Sequence, residues 1–140
     1  MFKPNTIDQK VVHGEFTTIK MSGVAPVARF GHTMDYLPTN NSLIIMGGRN
    51  DEMCKQNATP FLNDIFLFLL DQKFWLNVKH SVASETIDFL GNQCMTVITD
   101  NETIEKILVF GGITNRVGAD HDPNNVQSFL SNQTYICTVA

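Results

Sequence analysis

Two short apolar runs, each cut off by a pair of glycines, constrain this chain more than any other feature. Leu43, Ile44 and Ile45, inside Ser42–Met46, stop at Gly47-Gly48, and the run at 107–110 stops at Gly111-Gly112. A continuous apolar run this short, bounded by turn residues, is the mark of a strand buried on both faces. Each run is preceded by another strand-like segment and a polar turn. Thr33–Leu37 leads into Pro38-Thr39-Asn40-Asn41, and residues 95–99 lead into Asp100-Asn101-Glu102, so both pairs read as hairpins. After the first glycine pair come a polar loop at 49–60, a strand at 65–70, a turn at Asp71-Gln72-Lys73 and a strand at Phe74–Val78 with the only tryptophan, Trp75. No long stretch carries apolar residues at helical spacing. The expectation is an all-β chain built from antiparallel four-strand units.

The repetition extends past the hairpins. With the strands of one unit named a to d, Phe16, in the strand-like segment 15–21, stands ahead of Gly31 as Trp75 stands ahead of Gly91. Asn132-Gln133-Thr134-Tyr135-Ile136 falls behind the second glycine pair where Asn63-Asp64-Ile65-Phe66-Leu67 falls behind the first. The strand order is therefore d, a-b-c-d, a-b-c. It divides the chain into a polar start with a leading strand (1–23), a first complete unit (24–79) and a second unit without its last strand (80–140). Adjacent glycines at the end of a buried strand fit a place where the chain needs positive φ and backbones crowd. Trp75 and Phe68, on neighbouring strands, fit a packing role over one face of a small sheet.

These residues resemble the kelch repeat, whose pattern is an Arg and a Gly-His-Thr/Ser at strand a, a double glycine after strand b, and a Tyr and Trp with six residues between them. The first unit supplies Arg29, Gly31-His32-Thr33, Gly47-Gly48, Asn63-Asp64, Phe68 in the Tyr place and Trp75. The second keeps Gly111-Gly112, but Gly91-Asn92-Gln93-Cys94 replaces the Arg and His element and Cys137 sits where the Tyr belongs. The resemblance covers about residues 15–140 and implies a β-propeller of four-stranded blades, here an incomplete ring, since propellers typically hold 4 to 8 blades. The glycine pairs stand 64 residues apart against a kelch period of ~50, which places the surplus in the loops at 49–60 and 79–88. The expectation is the N-terminal part of a longer propeller. The alternative is a chain whose leading strand completes the second unit of another copy, three copies making six blades. Either way, unpaired edge strands invite self-association.

Composition narrows the partners. Ten Lys plus Arg against 14 Asp plus Glu give a formal charge of -4, too little cationic field for a phosphate backbone, so nucleic acid is not expected. No apolar run approaches the ~18 residues of a membrane span, and Met1 to Lys10 is polar, unlike a secretory signal. Three widely spaced cysteines, Cys54, Cys94 and Cys137, fit a reducing cytoplasmic setting better than a disulfide framework. The N-x-S/T triplets at Asn40, Asn57, Asn101 and Asn132 are then incidental. Cys94 and Cys137, in strands, are expected to be buried and inert, whereas Cys54 lies beside Lys55 in a polar loop. Asp120-His121-Asp122 groups three ligand-type side chains in the 113–129 loop without the glycine or Glu of a calcium loop, and reads as solvated. His32 has no nucleophile at a recognisable spacing. No catalytic residue, metal site or cofactor is expected.

Function on such a frame falls to loops. In kelch propellers the d–a and b–c loops share one face that binds partners, which here means 21–28, 49–60, 79–88 and 113–129. The resemblance therefore implies a non-catalytic protein-interaction module, with Arg29, Arg49, Asn50, Asp51 and Glu52 as the residues that contact another protein. Arg29 can grip a partner's carboxylate with both arms of its guanidinium, or it can hold the start of the blade through backbone carbonyls. The second reading ranks first. The alternative is a regulatory kelch-type part of an enzyme, as in serine/threonine phosphatases with kelch-like repeats.

Overall fold

The computed structural model describes residues 16–53, 60–78, 91–100, 104–117 and 126–139. They form ten strands: β1 (Ser22–Gly23), β2 (Thr33–Leu37), β3 (Ser42–Met46), β4 (Ile65–Leu69), β5 (Phe74–Val78), β6 (Cys94–Asp100), β7 (Ile104–Phe110), β8 (Ile113–Val117), β9 (Val126–Leu130) and β10 (Thr134–Val139). A 3-10 turn, Pro38–Asn40, links β2 to β3 and ends on Asn41 in the left-handed region at φ 48°. Pro38 presets the first turn, and Asn tolerates the left-handed residue that reverses the chain.

The first sheet runs β1-β5-β4-β3-β2, the second β10-β7-β6, and β8 and β9 form a hairpin. Every pair is antiparallel except β1, which lies parallel to β5 through Ser22 and Gly23. The fold is all-β, as expected. The strands of the first unit lie where the sequence places them, with β4 one residue shorter, and those of the second run longer.

Period-two alternation sorts the first sheet into two faces. Leu37, Ile44, Met46 and Ile65 point forward and meet Ile107 and Val109 of the second sheet, with Met95, Val97, Tyr135 and Cys137 packed around them. That seam is the core, and β2 lies against β6 across it. The rear face of the first sheet carries Ile45, Phe66, Phe68 and Trp75. Phe68 and Trp75 are direct cross-strand partners with ring centroids 4.8 Å apart, and Phe66 meets Trp75 edge-on at 6.5 Å. The Trp75 indole N–H points to the Met21 sulfur at 3.1 Å.

The two sheets repeat one hydrogen-bond frame. Phe30 and Arg49 exchange a pair of backbone hydrogen bonds, as do Gly91 and Ile113. Gly47 N–H donates to the Asp64 carbonyl and Gly111 N–H to that of Gln133; Leu62 N–H donates to Gly48, and Ser131 N–H to Gly112. The glycine pairs match in backbone angle, φ 64° and 100° at Gly47-Gly48 against 71° and 99° at Gly111-Gly112. A side chain at Gly48 would lie 3.0 Å from the Phe30 oxygen, and one at Gly112 would lie 2.9 Å from the Gly91 oxygen. The double glycine is thus required by positive φ and by the backbone that crosses it.

Four expectations need correction. Residues 16–21 form no strand, and Phe16, Ile19 and Met21 are exposed, because no strand among the described residues pairs with them; Glu15 lies outside the described residues. The second unit is shifted by one: Gly91 stands in the place of Phe30, and Asn92, at φ 57°, takes the place of Gly31 at φ 62°. The stretch 113–129, read as a loop, contains the β8–β9 hairpin. Cys94 is exposed, since its side chain faces away from the seam.

Candidate functional site

Residues 21–30 climb from the edge of the first sheet to the start of β2 and pass over the loop that follows β3. Arg29 anchors this crossing. Its guanidinium donates to both oxygens of Asp64, with Nη2 at 2.9 Å from Oδ2, and also to the carbonyls of Gly47 and Val27, while lying 5.6 Å over the Phe66 ring. Only 4% of the Arg29 side chain is exposed. Arg29 is therefore turned inward, its guanidinium engaged by an internal acid and two backbone carbonyls, which is the frame role ranked first for it. In the second sheet Gln133 occupies the Asp64 position, which removes the acid from that frame.

The residues after the first double glycine divide between frame and surface. Asn50 belongs to the frame: its Nδ2 donates to the Ala28 carbonyl at 2.8 Å, and its Oδ1 accepts from the backbone N–H groups of Glu52 and Met53. Such an Asn side chain mimics a backbone turn and fixes the loop that carries it. Arg49 pairs with Asp51 at the surface and lies 5.6 Å over the buried Phe61 ring. Asp51 and Glu52 are exposed. The structure thus brings Arg49, Asp51 and Glu52 together on a short turn fixed by Asn50, with Arg49 paired to Asp51 and Glu52 exposed beside them. Residues 54–59, with Cys54, and 79–90 lie outside the described residues, as does Asp120-His121-Asp122.

Of the motif residues, Gly31, Gly47, Gly48, Gly111 and Gly112 occupy positive-φ positions, Phe68 is buried and Trp75 half-buried. His32 is exposed at the first position before β2. The structurally equivalent residue, Gln93, is buried in the seam, where its Nε2 donates to the Met46 carbonyl at 2.8 Å; its Oε1 has no protein partner. Asp35 makes the second polar link across the seam. Its Oδ2 accepts from the Val97 N–H at 2.7 Å, and its Oδ1 from the Tyr36 N–H. Sequence reading missed both connectors. For Asp35 the signal lay in the sequence, since a carboxylate inside an apolar alternation needs a partner; Gln93 comes to the His32 position only through the one-residue shift of the second unit.

Among the described residues no group of three or more His, Cys, Asp or Glu side chains is placed to hold a metal ion. No helix among them is long and apolar enough to cross a membrane. No protein-family profile matches the sequence, and no curated protein matches it.

Proposed function

We propose that this chain is a segment of a kelch-type β-propeller that binds another protein without catalysing a reaction, and that the turn Arg49-Asn50-Asp51-Glu52 forms part of the binding surface. The observation that carries the reading is the division of labour in that turn. Asn50 fixes the backbone by hydrogen bonds on both sides, while Arg49, Asp51 and Glu52 are left on the surface with mixed charge. A rigid frame with preorganised polar groups costs little to order on binding. Support for the propeller comes from two successive sheets that share strand order, glycine angles and crossing hydrogen bonds. Repetition of one sheet unit around an axis is how a propeller is built.

The test is cross-linking of the folded chain to proteins of its native extract, compared with Arg49→Glu/Asp51→Lys/Glu52→Lys. The variant reverses the charges of the turn and lifts the Arg49 guanidinium off the Phe61 ring, so its circular dichroism should match the wild type and its stability should fall by no more than about 1 kcal/mol. Adducts formed by the wild type should disappear or fall at least about tenfold with the variant. An unchanged adduct pattern would remove this turn from the binding surface.

A further inference from the structure

We infer that the uncovered forward face of the second sheet docks on the rear face of the first sheet of a second copy of this chain, head to tail. The template is the seam already inside the molecule. There the forward face of sheet one meets the rear face of sheet two. Because the two sheets share one frame, the forward face of sheet two is the positional copy of a surface the protein is built to bury. Leu37 is 0% exposed, whereas its equivalent Ile98 is 46% exposed. Met46, buried, corresponds to Phe110, exposed, and half-buried Leu67 corresponds to exposed Ile136. On the rear of sheet one, Met34 and Tyr36 are exposed at the positions where sheet two has half-buried Met95 and Val97, whereas Ile45, Phe66 and Phe68 are already buried within the copy, so the contact falls on the β2 side of that face.

The rim of the seam shows the same complement. Phe61, 3% exposed, packs over Gly91, where any side chain would collide with its ring. The equivalent of Phe61 is Leu130, 86% exposed, and the equivalent of Gly91 is Phe30, also exposed. The large residue has moved from one side of the contact to the other, so Leu130 of one copy fits against Phe30 of the next. The faces that meet are different surfaces, so the contact is heterologous, and copies added this way close into a ring or extend as a filament. Apolar side chains left open at positions buried in the repeat are what such a contact removes from water. The inference rests on the shared frame of the two sheets and is independent of the binding role given to the Arg49 turn.

Sedimentation equilibrium over a wide concentration range, on wild type, Met34→Asp and Ile136→Asp, tests it. Both substituted positions are exposed, so the variants should keep the wild-type circular dichroism; Leu130→Asp, on the hairpin, provides a second variant of the forward face. Wild type should associate, and each variant alone should associate at least about tenfold more weakly, since a buried unpaired carboxylate opposes the contact. Mixing Met34→Asp with Ile136→Asp should restore association as a 1:1 dimer that grows no further, because one variant keeps an intact forward face and the other an intact rear face. A wild type that stays monomeric overturns the inference. So does a Met34→Asp variant that associates like wild type, as pairing through the β10 edge would produce, or a mixture that forms no dimer.

Discussion

Arg29 shows how a residue that resembles a binding group becomes part of the frame. Its five N–H donors face two carboxylate oxygens and two carbonyls, and the ring of Phe66 shields the pair from one side. Removing the guanidinium strands Asp64 and the Gly47 carbonyl together. Arg29→Ala should therefore destabilise the fold by about 2–4 kcal/mol, in the range for breaking a mostly buried pair by removing one partner. Arg49 is the control: its pair with Asp51 is at the surface, and Arg49→Ala should cost no more than about 1 kcal/mol. Urea denaturation followed by fluorescence of Trp75 measures both. Equal midpoint shifts for the two variants would mean that Arg29 does not hold the crossing.

The elements differ in how openly the sequence announces them. β3 and β4 carry unbroken apolar runs because both of their faces face protein, the run at 107–110 announces β7 although Phe110 on one face is exposed, and β2 and β5 follow from the turns beside them. The β8–β9 hairpin was not legible. Thr114, Asn115 and Arg116 on one side and Gln127 and Ser128 on the other offer no apolar alternation, and Asp122-Pro123-Asn124-Asn125 between them looks like any solvated loop. Its strands form because Ile113 is already fixed by Gly91, so β8 starts from an anchored residue and β9 pairs along it. Segment 16–21 fails for the opposite reason, being strand-like in composition with no strand among the described residues beside it to supply hydrogen bonds. The glycine pairs were legible because their cause is local. Gly48→Ala would place a methyl group 3.0 Å from both the Phe30 oxygen and the His32 Cβ at φ 100°, and should cost about 1–3 kcal/mol, the range for a strained backbone position. The effect should be read by thermal unfolding; a change below about 0.5 kcal/mol, the level of ordinary surface substitutions, would show that the crossing can shift to make room.

At the scale of the molecule the decisive fact is that the core lies between the sheets and not within either. Leu37, Ile44, Met46 and Ile65 come from one unit, Ile107 and Val109 from the other. The polar links Asp35 to Val97 and Gln93 to Met46 cross the same plane and fix the register of one sheet on the other. The repeat in the sequence foretells two similar sheets, but not that Asp35 and Gln93 tie them, because neither residue has a partner until the second unit packs on the first. A seam of this kind makes each sheet the solvent shield of its neighbour, so the described sheets should unfold as one cooperative unit. Leu37→Ala tests this at the most buried point. The substitution should cost about 2–5 kcal/mol, as for a leucine removed from a close-packed core. Amide hydrogen exchange should then accelerate to the same extent in β4 of the first sheet and in β7 of the second, although only the first sheet is altered. Faster exchange confined to β2–β5 would mean that each sheet is stable alone and that the seam is a contact between finished units. The expected common acceleration follows from where the apolar side chains point: neither sheet can bury its inward residues until the other is in place.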